Sequence, residues 1–196
     1  MDQEIEEEKE QEVKREWFVM RDLHRGHRAH LSYQLLAEKG FTTYTPTVKT
    51  PVREKSGKAR IVERPYLPDL FFLKAQRSEL SDLILDPKRN YQFRYKYGVR
   101  PPSPIVVPDK QMDDFIRANK ESDETRFYSV ADIPKSARNT PIRIIGGHLD
   151  GLEGLLLRTR GTSRKQLIIE LPNFLAIGVY VRDEYIEFLW SVINHQ

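Results

Sequence analysis

The chain has 196 residues, 39% hydrophobic and 31% charged, with no cysteine and a formal net charge of +3. Disulfides and thiolate metal sites are thereby excluded, and no apolar run approaches the roughly 18 residues that a bilayer span needs. The N-terminus has no basic-then-apolar targeting pattern, so a cytoplasmic protein with no membrane attachment is expected.

Residues 1–13 read as an acidic, solvated tail. Seven acids stand against Lys9 in Met1–Glu12, which leaves +9 on residues 13–196. A basic folded part favours a polyanionic partner, although a surplus of Lys and Arg also serves as ordinary solubilising surface. Trp17–Met20 is strand-like, and His27–Lys39 carries Leu31, Leu35 and Leu36 at helical spacing before Gly40 stops it. Phe41–Thr47 is rich in aromatic and β-branched residues, and Val48–Arg64 reads as a long hairpin with Lys55-Ser56-Gly57-Lys58 at its tip. Six basic residues oppose Glu54 and Glu63 there, a net charge of +4. Leu70–Ala75 then predicts a core strand, Ser78–Leu85 a short helix and Tyr91–Tyr97 another strand. The order β-α-β-β-α-β is that of a split βαβ domain, a helix-covered antiparallel sheet.

Pro101, Pro102 and Pro104 interrupt regular structure, and Asp109 opens a helix with Met112, Phe115 and Ile116 facing inward. The first domain is expected to span residues 14–118, followed by a linker over 119–138. Four of the chain's ten glycines fall within nine positions of the next stretch, "IRIIGGHLDGLEGLLLRTRG", Ile142–Gly161. Two apolar runs flank them, so the stretch reads as a β-hairpin whose glycines allow positive φ and close backbone approach. No Lys-Ser or Lys-Thr follows and a leucine strand comes next, which argues against a phosphate-cradling loop. With Gln166–Leu171 and Ile177–Val181 as further strands, residues 139–190 predict a small β-barrel of about five strands. The fold class is therefore α+β.

The run Trp17-Phe18-Val19-Met20, Tyr44-Thr45-Pro46, the charged hairpin, "RPYLPDLFFLKA", "FRYKYG" and "IVVPDKQMDDFIRA" resembles the N-terminal domain of NusG-type transcription elongation factors. The glycine hairpin is similar to the KOW motif opening the C-terminal barrel of those factors. "VPDKQMDDFIR" and the basic barrel strand look closest to operon-specific, UpxY-like antiterminators of surface-polysaccharide operons.

The resemblance implies a non-enzymatic factor that binds the clamp helices of RNA polymerase and suppresses pausing and termination. It implies Phe18, Tyr44, Leu67, Pro68, Leu70 and Phe72 as polymerase-binding positions. Arg21, His24, Arg25 and Arg28, with Lys55, Lys58 and Arg60 on the hairpin, are candidates for non-template DNA or nascent RNA. Arg158, Arg160 and Phe174 are candidates for a ribosomal protein or a termination factor. Pro68-Asp69-Leu70 departs from the family's Pro-Gly-Tyr, and Asn139-Thr140-Pro141 replaces its usual glycine before the KOW strand. The alternative is a stand-alone KOW RNA-binding protein of the ribosome-assembly type.

His24, His27 and His30 invite a metal reading, but that spacing sweeps around a helix and only Asp22 is placed to add a carboxylate. Neither metal nor cofactor is expected, and no nucleophile elbow, paired-acid or HExxH pattern suggests catalysis. If the acidic tail masks the basic face, deleting residues 1–12 will strengthen nucleic-acid binding at low salt, measured by fluorescence anisotropy. Unchanged affinity would rule the mask out.

Overall fold

The computed structural model describes residues 14–23, 31–85, 89–122, 124–135, 140–158, 164–171, 174–182 and 185–189. They fall into two compact units, one within Met1–Pro46 and Arg64–Pro108, the other within Thr47–Glu63 and Asp109–Gln196.

The first unit is built on β1 (Glu16–Asp22), whose Trp17–Met20 run is buried throughout. An apolar run without alternation suits a strand with neighbours on both edges. One edge of β1 pairs with β5 (Leu70–Ala75); the other takes β6 (Tyr91–Phe93) and β7 (Val106–Val107), all antiparallel. β2 (Thr42–Tyr44) lies outside β5 in the order β2-β5-β1-β6. β5 is thus inserted between β1 and β2, the split βαβ order. Helices α1 (Ser32–Glu38) and α2 (Arg77–Leu85) contribute Leu36 and Leu80 to a core with Phe18, Met20, Phe71, Leu73 and Phe93.

At the start of α1, Leu31 offers no capping side chain. The buried Asp22 carboxylate at the end of β1 instead accepts the Ser32 N–H at 2.7 Å. A charge-assisted bond satisfies one of the N–H groups that a helix start leaves unpaired.

The second unit holds the two-stranded hairpin of β3 (Thr47–Arg53) and β4 (Ala59–Pro65) as far as Glu63, and a six-stranded sheet. That sheet comprises β8 (Thr125–Tyr128), β9 (Pro141–Ile144), β10 (Glu153–Arg158), β11 (Lys165–Leu171), β12 (Leu175–Val181) and β13 (Ile186–Phe188). Its order is β13-β9-β10-β11-β12-β8, an open path, so the predicted closed barrel is corrected to an open sheet. The outer edge of β12 is taken by β8 and that of β9 by β13. β8 lies inside the predicted linker, which also holds a 3-10 turn over Val130–Asp132 with Ile133 buried. Helix α3 (Asp109–Glu121) packs on β11 and β12 of this sheet, with Phe115 and Phe127 at 6.1 Å between ring centres. The helix expected at the end of the first domain thus belongs to the second unit. Among the described residues, no helix is long and apolar enough to cross a membrane.

The glycine cluster divides by role. Gly146 has φ 82° in the turn between β9 and β10, where its N–H donates to the Asp150 carboxylate. Gly154 lies within β10, and a Cβ there would come 2.2 Å from the Ile168 carbonyl oxygen of β11. Gly154→Ala must displace backbone and is expected to cost about 3 kcal/mol. Gly57→Ala at the hairpin tip, with φ 82° and open space around it, should cost only about 1 kcal/mol. Urea unfolding of both variants tests the difference.

Candidate nucleic-acid interface

The β3–β4 arm has no third strand among the described residues, and none of its side chains is fully buried. Its extended conformation follows from Thr47, Val48, Thr50, Val52, Ile61 and Val62, β-branched residues that favour strands. The tip closes through Glu54 N–H to the Lys58 carbonyl and Gly57 N–H to the Glu54 carbonyl, both at 2.9 Å. Lys55, Lys58 and Arg60 are brought together there, all exposed. Arg60 pairs with Glu54 at 3.4 Å, an exposed ion pair that solvent screens and that a phosphate can displace. Ile61 stays 71% exposed beside these cations.

Arg21 belongs to the other unit. It meets Asp69 at 3.3 Å, and Arg94 meets the same carboxylate oxygen at 3.3 Å. Asp69 therefore neutralises part of the charge of Arg21. His24, Arg25 and Arg28 lie outside the described residues, as does Arg160.

Three of the six apolar candidates have no surface to offer a partner as the chain is folded here: Phe18 is 0% exposed, Leu70 1% and Phe72 0%. Phe18 belongs to the core under α1 and α2. Leu70 and Phe72 point to the opposite face, where Phe72 meets Tyr44 at 6.1 Å. Alternation along β5 divides Leu70–Leu73 between the two faces, and both faces are buried. Tyr44 and Leu67 are half-buried, and Pro68 is exposed in the turn that leads into β5.

In the second unit Arg158 is exposed opposite Lys165 in the β10–β11 pair, and Phe174 is half-buried just before β12. A cation–aromatic surface missed by the sequence reading lies on this sheet. The Arg126 guanidinium sits 5.2 Å from the Tyr128 ring centre, and Arg164 sits 5.2 Å from that of Tyr180. The Tyr128 hydroxyl donates to the buried Gln166 amide oxygen at 2.5 Å, and burial raises its pKa, so the phenol stays a donor. A Cβ at Gly178 would lie 2.8 Å from the Tyr128 ring, so the glycine leaves room for it. The alternation Arg126-x-Tyr128 was the available signal, obscured because its strand was read as linker. Helix α3 holds the glycine turn from the side: Arg117 donates to the His148 carbonyl at 2.7 Å and to that of Asp150 at 2.8 Å.

Among the described residues no group of three His, Asp or Glu side chains is placed to hold a metal ion, and the three histidines singled out lie outside them. No protein-family model matches the chain, and no curated protein matches it.

The arm offers ammonium and guanidinium groups on a surface with no core beneath it, so function and stability separate there. Replacing Lys55, Lys58 and Arg60 together by Gln should leave the unfolding free energy within about 0.5 kcal/mol of the parent. The slope of log affinity against log salt for duplex DNA should fall by about 2.7 if all three meet phosphates. An unchanged slope would remove the arm from the interface.

Proposed function

We propose that this chain is a transcription elongation and antitermination factor of the NusG type, operon-specific and of the surface-polysaccharide kind, that binds RNA polymerase through its first unit. The observation that carries this reading is the order of parts: a split βαβ sheet, a basic arm leaving it between β2 and β5, and a second sheet that contains the glycine hairpin Pro141–Arg158. Of the six apolar candidates, Tyr44, Leu67 and Pro68 keep surface that the clamp helices could meet. A factor that binds the elongating enzyme better than the paused one shifts the balance between them by that difference in affinity alone. No catalytic step is needed. The second unit, through Arg158 and Phe174, would meet a ribosomal protein or a termination factor.

The second reading, a stand-alone RNA-binding protein, is favoured by one observation. Arg126 with Tyr128 and Arg164 with Tyr180 pair cations with aromatic rings on one sheet, a combination suited to bases and phosphates.

Capture of purified bacterial RNA polymerase by the full chain separates the two. The proposed factor retains polymerase, and Leu67→Glu weakens capture about tenfold, as for a central apolar contact, while circular dichroism and unfolding stay those of the parent. Failure of the parent chain to retain polymerase would transfer the function to the RNA-binding reading.

A further inference from the structure

A further surface, separate from those above, lies on the loop that follows β6. After β6 the chain runs out and back as a narrow loop. Tyr95 bridges to Pro104, the Lys96 N–H donates to the Ser103 carbonyl at 2.9 Å, and the Ile105 N–H donates to the Arg94 carbonyl at 2.8 Å. Gly98, with φ 73°, lets the chain reverse immediately after Tyr97. Prolines at 101, 102 and 104 restrict the returning limb. The base of the loop is fixed to the core, because the Tyr95 ring stands edge-on to Phe93 at 6.3 Å and 73°.

Such a held loop would ordinarily present polar residues. This one presents Tyr95 at 49% exposure, Tyr97 at 103% and Val99 at 43%, with Lys96 and Arg100 interleaved. Single exposed apolar residues are commonplace; three within five residues are a patch. Its charge is of one sign: Arg89–Pro104 contains Arg89, Arg94, Lys96 and Arg100 and no acid. Arg94 is engaged by Asp69. Lys96 and Arg100 have no ion-pair partner among the described residues and are exposed.

We propose that the tip of this loop binds single-stranded nucleic acid, with the Tyr97 ring as a stacking surface for one base and Lys96 and Arg100 on the flanking phosphates. A tyrosine on a restrained turn loses little freedom on binding, and every base offers a π-face, so the contact tolerates sequence variation. The uniformly positive loop matches the charge of a phosphate backbone. An acidic protein partner would satisfy the cations as well, but it would leave the freely presented ring without a planar counterpart. The site rests on its own residues and stands whether or not the polymerase reading holds.

The test uses the full chain carrying the Gln substitutions at Lys55, Lys58 and Arg60, which removes the arm as a competing site. The probes are fluorescein-labelled oligothymidylate and oligouridylate of about twelve residues, within the site sizes of such surfaces. Tyr97→Ala is expected to weaken binding about tenfold, the loss of one stacked base. Tyr97→Trp should retain affinity and show indole quenching on binding that the parent lacks. Lys96→Gln with Arg100→Gln should lower the salt slope by about 1.4, for two phosphates on a single strand. The fully exposed position of Tyr97 keeps these variants folded. The proposal is overturned if the parent binds neither probe, or if Tyr97→Ala and the double variant bind as the parent does. It is also overturned if Tyr97→Ala impairs polymerase capture alone, which would make the loop a protein contact. Loss of polymerase capture with oligonucleotide binding intact would refute the proposed function and leave this site standing.

Discussion

The first unit depends on a strand with pairing partners on both edges and apolar side chains on both faces. Trp17–Met20 has no polar side to turn to water, so β1 must be central: β5 on one edge, β6 and β7 on the other. Phe18 and Met20 point with Phe71 and Leu73 towards α1 and α2, and Trp17 and Val19 point the other way with Phe72. Even Asp22, the acid that closes the strand, is buried and engaged with the start of α1. Little of β1 or β5 remains to meet a partner. The exposed apolar and basic side chains lie instead where the chain leaves the sheet: the arm, the Leu67–Asp69 turn and the loop beyond β6.

That arrangement explains which exposures could be read from the sequence. Lys55 and Lys58 were legible because a hairpin of alternating charge and β-branched residues has no apolar face to bury, so its cations must be outside. Phe18, Leu70 and Phe72 misled because an aromatic residue in a strand looks the same whether it fills a core or greets a partner. The ion pairs from Arg21 and Arg94 to Asp69 join residues far apart in the chain. No local pattern announces such a meeting.

The same division runs through the fold. The bounds of β5 and the start of α3 at Asp109 are local matters of composition and capping, and both were legible. Which sheet α3 would cover was not: an amphipathic helix declares that one face is buried, not what buries it. Phe127, the ring that meets Phe115, sits in a four-residue strand too short to show a period. For the same reason the second sheet was expected to close. Closure would require the end strands β8 and β13 to pair, and among the described residues β8 pairs only with β12 and β13 only with β9.

The pairing of β1 also has a history in time. Glu16 pairs with Ala75, Met20 with Phe93, and Trp17 with Val107. During synthesis the central strand of the unit emerges first and its last partner follows roughly ninety residues later, ~5–20 s at ordinary translation rates. Until then Trp-Phe-Val-Met has open edges and uncovered faces, the features that recruit chaperones or foreign strands. The native contacts of β1 are nearly all distant in sequence, so folding of the unit waits on long loop closures rather than on its short helices. The acidic residues ahead of β1 precede it out of the ribosome, and their like charge would keep nascent chains apart while that strand is still alone.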